Sequence, residues 1–109
     1  MSQIAFDFLP DDMTQGEMAA IADATQDGWI IPPVYNCLRP APPRPWRSVH
    51  LRYLERRGLT RRGRNRIDGV WCVRLNAEGL SLRGDIRGTT TRRELYALAG
   101  ATLPERLAA

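Results

Sequence analysis

Between Ser48 and Leu82 three signals fix the order of local structure more tightly than anywhere else in the chain. Gly58 follows a helix-compatible run, Trp46 to Arg57, and supplies the residue type that closes a helix in the left-handed conformation. Asp68-Gly69 separates two β-prone runs and is a strong two-residue hairpin signal. Asn76 stands where the second run ends and can cap the turn after it. The stretch therefore predicts a helix over 46–57, a strand over 59–62, a basic turn over 63–69 and a second strand over 70–75. A short capped turn through Glu78 then brings Leu80 and Leu82 back to the core. In the helix, Val49 and Tyr53 share one side, Trp46 and Leu54 flank it, and Leu51 lies at the edge. Ser48, Arg52 and Arg56 take the polar side. The period of two in the second strand puts Trp71, Val73 and Leu75 on one face and Arg74 on the other, with Cys72 at most partly exposed.

The flanking segments carry weaker signals. Residues 1–13 form an N-terminal arm with a short apolar run ended by Pro10. Thr14 and Glu17 have capping-box spacing and open a first helix, which Asp27-Gly28 ends. Glu17, Asp23 and Asp27 then read as that helix's solvent face. Trp29-Ile30-Ile31 follows as a short buried strand, with Trp29 in the core. Pro32-Pro33 can open a short second helix through Leu38. Pro40, Pro42, Pro43 and Pro45 impose an extended connector. Thr91 and Glu94 repeat the capping box and open a late helix with Leu95, Leu98 and Ala99 inward and Gly100 as its stop. Thr102 to Glu105 repeats the same logic for a last short helix. Residues 14–109 are thus expected to form one domain of α+β class, mostly α.

The chain has 109 residues, 43% of them hydrophobic, which suffices for one modest core. No run approaches the roughly 18 apolar residues of a membrane span, and the acidic start is unlike a secretory leader. The expectation is a cytoplasmic protein without membrane contact. One histidine and two cysteines cannot make a four-ligand zinc site, so no metal or cofactor is expected, and Cys37 and Cys72 read as buried thiols. With no histidine pair and no glycine-rich phosphate loop, catalysis is not expected either.

Charge is distributed unevenly. All 16 basic residues are arginine. Residues 1–38 contain six acids and no arginine, whereas 15 arginines and only four acids fall between Arg39 and Arg93. Such a block suits a polyanion, because each guanidinium is a permanently charged fork that can bind phosphate or guanine bidentately.

The run Tyr53-Leu54-Glu55-Arg56-Arg57-Gly58-Leu59-Thr60-Arg61-Arg62, followed by Val70 to Gly79, resembles the recognition-helix and wing segment of MarR-like regulators. The order helix, bridge, short helix, third helix, hairpin, helix resembles a winged helix-turn-helix more broadly. The proline-rich insert and short C-terminal helices depart from MarR-like proteins and fit a small phage or mobile-element type. The resemblance implies a three-helix core, a two-stranded β wing and sequence-specific binding of double-stranded DNA, as in a small phage or bacterial transcriptional regulator. Carried over by position, Arg47, Ser48 and Arg52, with Arg44 just before them, face base edges, while Arg61, Arg62, Arg64, Asn65 and Arg66 place the wing on the backbone. Trp46 and Trp71 read as core, and His50 as packing or surface. The alternative is a protein-binding winged helix, such as a phage-encoded inhibitor or an excisionase-like architectural factor. RNA binding is a third reading, and homodimerisation through the arm or the C-terminal helices accompanies the first.

Overall fold

The first helix starts where the capping box puts it. In this computed structural model, which describes residues 9–10, 12–31, 46–67, 70–98 and 100–101, the Glu17 amide donates to Thr14 Oγ1 and the Thr14 amide donates to Glu17 Oε1, each at 3.2 Å. Helix α1, Gln15–Asp23, extends from this cap. It ends at Ala24, earlier than Asp27-Gly28 suggested. Those two residues instead belong to a tight turn. The Gly28 amide donates to the Thr25 carbonyl, the Thr25 amide donates to the Trp29 carbonyl, and Gly28 adopts φ +90°. The turn feeds strand β1, Trp29–Ile30. The expected helix from Pro32 to Leu38, the proline connector, Arg44 and Cys37 lie outside the described residues, as do most of the N-terminal arm and the last short helix.

Helix α2, Ser48–Arg56, is the expected third helix. His50 secures its start by accepting the Arg47 amide at Nδ1, 2.8 Å away. Its end is a Schellman closure: the Leu59 amide donates to the Leu54 carbonyl, the Gly58 amide to the Glu55 carbonyl, and Gly58 has φ +74°. The rotation of the helix corrects the sequence reading. Leu51 and Leu54 are fully buried, whereas Val49 and Tyr53 are 41% and 37% exposed. Its four apolar residues, Val49, Leu51, Tyr53 and Leu54, spread over a wide arc and do not mark a single narrow stripe. The choice of inward side is therefore made by α1, which packs on it, and not by periodicity.

After α2 the chain forms only a single bridge, Thr60 to Leu75, where a strand over 59–62 was expected. Strand β2, Asn65–Ile67, starts inside the segment expected to turn, and pairs antiparallel with β3, Val70–Arg74. Only Asp68 and Gly69 separate the paired residues Ile67 and Val70, so Asn65 and Arg66 are ladder residues. β3 also pairs antiparallel with β1, giving the sheet order β1–β3–β2.

Asn76 caps the next element, which is a full helix and not a short turn. Its Oδ1 accepts the Gly79 amide at 2.9 Å, and α3 runs Ala77–Thr89. Gly79, Gly84 and Gly88 disguise this helix in the sequence, because glycine disfavours helix interiors. Gly79, Leu82 and Ile86 form its buried stripe. Gly79 is required there: a Cβ would strike the carbonyl oxygen of Leu59. The tripeptide Arg83-Gly84-Asp85 lies within this helix. Helix α4, Arg92–Leu98, opens with the Glu94 amide donating to Thr91 Oγ1. Leu95 points inward as expected and so does Tyr96, but Leu98 is exposed.

Among the described residues, four helices and a three-stranded antiparallel sheet form an α+β fold with helix α1 in its middle, packing on α2, α3, α4 and β1. Every residue from Gly16 to Ala22 is buried. Small side chains let the neighbours approach closely. At Gly16 the His50 imidazole occupies the space a Cβ would need.

Two acids expected on the solvent face of α1 are internal. The Glu17 carboxylate accepts from the Arg57 guanidinium, and Glu17 is 1% exposed. Burial pushes its pKa up, but hydrogen bonds from Arg57 and from the Thr14 backbone outweigh burial and hold it below the ordinary 4.5. Asp23 accepts from Trp46 Nε1 at 2.7 Å and from the Tyr96 hydroxyl through Oδ2, and from Arg92 Nε at 2.8 Å through Oδ1. Asp27, beyond the helix, is exposed.

Asp23→Ala should lower unfolding free energy in urea by about 3 kcal/mol, because it leaves buried donors without an acceptor. Asp27→Ala should change it by less than about 0.5 kcal/mol. Equal losses would remove Asp23 from its central position. For Glu17 the folded-state pKa is depressed, so its stabilisation is complete above about pH 4.5 and is lost as pH falls through the folded value. Urea melts between pH 6 and about pH 3 should therefore show a smaller acid-induced loss in Glu17→Gln than in the parent chain.

Candidate nucleic-acid interface

Ser48, Arg52 and Arg56 recur at a spacing of four along α2, and all three are exposed. Arg47, immediately before the helix, is exposed as well. Val49 and Tyr53 border this polar row on one side. Glu55 borders it on the other, because Leu51 and Leu54 face the core.

Arg64 joins the helix to the hairpin. Its Nε and Nη2 donate to Glu55 Oε1 at 3.0 and 2.6 Å, tying the residue that precedes β2 to the exposed side of α2. Position along the chain alone puts Arg64 on the backbone of a nucleic acid. Its guanidinium is paired with Glu55 and remains partly exposed. Arg61 and Arg62 are exposed in the loop before β2, and Asn65 and Arg66 are exposed on β2 itself. Gly63, at φ +80°, allows the turn between these pairs.

The tryptophans divide differently from the sequence reading. Trp46 is buried, as expected, with its indole N–H on Asp23. Trp29 is only half-buried, and the Arg74 guanidinium lies over its ring, 5.1 Å from the centroid. Arg74 also donates to the Asp27 carbonyl at 3.1 Å. Trp71 is 56% exposed, although Val73 on the same face of β3 is fully buried. β1 pairs only as far as Val73 and Arg74, so Trp71 lies past the end of that strand. Its direct partner on β2 is Arg66. His50 is a packing residue, edge-on to Tyr53 with ring centroids 5.8 Å apart.

Electrostatics sort the arginines into two groups. Arg57 and Arg92 are bound to the buried acids of α1, and Arg64 to Glu55. Arg83 donates from Nε to the carbonyl of Ala24 at the C-terminus of α1, a favourable place for a cation. Burial, with Arg87 and Arg92 nearby, pulls its pKa below the usual arginine range. By contrast, Arg47, Arg52, Arg56, Arg61, Arg62 and Arg66 are exposed, and none forms an ion pair with another described residue. These six belong to α2, the segments flanking it, or β2; Arg87 on α3 and Arg93 on α4 are exposed as well and form no ion pair with a described residue. Arg56 is not among the binding residues that the resemblance implies, although its spacing from Arg52 already points to it.

Among the described residues no cluster of histidine, cysteine or acidic side chains could hold a metal ion, and no helix is long and apolar enough to cross a membrane. Compared with known protein families, curated proteins and solved structures, the chain matches none. A functional reading therefore rests on the residues and their geometry.

The Arg64–Glu55 pair is partly exposed, so Glu55→Ala should cost no more than about 1 kcal/mol in urea melts. A loss above about 2 kcal/mol would mean that the pair behaves as a buried ion pair despite its exposure.

Proposed function

We propose that this protein is a winged-helix DNA-binding protein, a small transcriptional regulator that docks α2 in the major groove and the β2–β3 hairpin on the adjoining backbone. The observation that carries the reading is the set of six exposed arginines on α2, its flanks and β2, set against internal pairing of the acids of α1. An arginine-rich surface whose charges are not neutralised within the protein attracts phosphate and releases condensed counterions on binding. The order helix, short strand, helix, hairpin, helix supports the winged-helix reading for the described elements, with the short strand joined to the second strand of the hairpin; the short helix that the resemblance places before α2 lies outside the described residues.

The roles follow from exposure. Arg47, Ser48, Arg52 and Arg56 read base edges or neighbouring phosphates from α2. Arg61, Arg62, Asn65 and Arg66 hold the backbone. Arg64 sets the hairpin against the helix through Glu55. One observation favours a protein partner as the second reading: Val49 and Tyr53 are exposed along the arginine row of α2. Aromatic residues and arginines together are typical of protein interfaces.

If about six phosphates are neutralised, log affinity for duplex DNA should fall with log salt at a slope near −5. Arg61→Ala combined with Arg66→Ala should weaken specific and random duplexes equally and flatten that slope by about 2. Arg52→Ala should cost about 1–3 kcal/mol on the preferred sequence and less on random DNA. A slope near zero, or recovery of a stoichiometric protein partner after nuclease treatment with no duplex binding, would give the protein-binding reading precedence.

A further inference from the structure

We infer that Trp71 is a stacking residue for an unpaired base, so that the protein prefers duplex DNA adjoining a single-stranded segment over continuous duplex. The inference rests on the DNA-binding reading and extends it.

Trp71 is the most exposed of the chain's three tryptophans: Trp46 is buried and Trp29 half-buried against Arg74. A single exposed apolar residue is ordinary on most surfaces, but the surroundings of this one are specific. It stands on β3 past the end of β1, and Arg66, exposed, is its direct partner across the ladder. Directly opposed residues of an antiparallel pair share a face with Cβ atoms about 5 Å apart. One face of the hairpin thus offers a flat indole and a guanidinium side by side, with the exposed pair Arg61 and Arg62 on the segment leading to the hairpin.

The chemistry of that combination selects the occupant. The arginine favours an anion, which fits phosphate. The indole requires a flat apolar face within reach of that anion. In continuous duplex the base faces are stacked on one another, leaving only edges and phosphates available. An unpaired nucleotide presents both a phosphate and a free base face, and aromatic platforms beside basic grooves bind single strands this way without strict sequence preference. With α2 on the duplex, the hairpin face takes the first unpaired base beside it.

The experiment uses the intact chain and two labelled probes: a blunt duplex, and the same duplex with an unpaired thymine tail on one strand. Anisotropy titrations give affinities, and tryptophan emission reports stacking. The tailed duplex should bind about tenfold tighter and quench tryptophan emission, with little quenching by the blunt duplex. Trp71→Ala should abolish the preference and the quenching while leaving blunt-duplex affinity within about twofold; Trp71→Phe should keep most of the preference. Because the side chain is exposed, both variants should keep the parent's circular dichroism and melting behaviour. Equal affinity for the two probes, or a preference that survives Trp71→Ala, overturns the inference and leaves the DNA-binding reading standing. Binding of neither probe overturns both.

Discussion

The carboxylate of Asp23 is the point on which α1, the entry to α2 and α4 converge. It ends α1, and it accepts from Trp46 just before α2 and from Arg92 and Tyr96 of α4. A buried carboxylate is costly unless its lone pairs are filled. Here three donors from two other parts of the chain fill them, so the charge is tolerated only when those parts are assembled. The same group thus penalises misassembly and links the pieces that surround α1. Glu17, nearly two turns earlier, repeats the device with Arg57 at the end of α2. Beside it, Gly16 admits the His50 imidazole, which in turn fixes the start of α2. The central helix is therefore connected to α2 near both of that helix's ends.

This arrangement determines what is left for solvent. Pairing of Glu17 and Asp23 removes two negative charges from the surface together with two arginines, Arg57 and Arg92. The rotation it imposes on α2 turns Leu51 and Leu54 inward and puts Arg52 and Arg56 outside. The Schellman closure at Gly58 then carries the chain into the arginine-rich loop and hairpin, and Arg64 returns to Glu55. Core packing and the basic surface are consequences of one another here. The residues that orient α2 toward α1 are those that present its arginines.

Much of the local structure was legible before any tertiary information. The capping box at Thr14, the closing glycines Gly58 and Gly100, the pairing of Ile67 with Val70 and the cap at Asn76 act through partners within a few residues, so short sequence patterns suffice to find them. The length of α3 was not legible, because three glycines depress its local propensity and only burial of Leu82 and Ile86 offsets that. The identity of the exposed arginines was legible as a block but not residue by residue. Arg57 and Arg64 look no different from Arg56 and Arg66 in the sequence, and they differ in whether a distant acid reaches them.

What the sequence determined by itself was the start of α1, the close of α2, the caps that open α3 and α4, and the concentration of positive charge after residue 38. Those properties depend on neighbours along the chain or on composition alone. The tertiary structure decided which way α2 faces, that Glu17 and Asp23 are internal, and that Trp71 stands in solvent while Trp46 does not. Each of these depends on what another segment, far away in sequence, covers or leaves open. Burial is a property of the assembled surface, and no local pattern encodes where a two-residue strand will stop covering its neighbour.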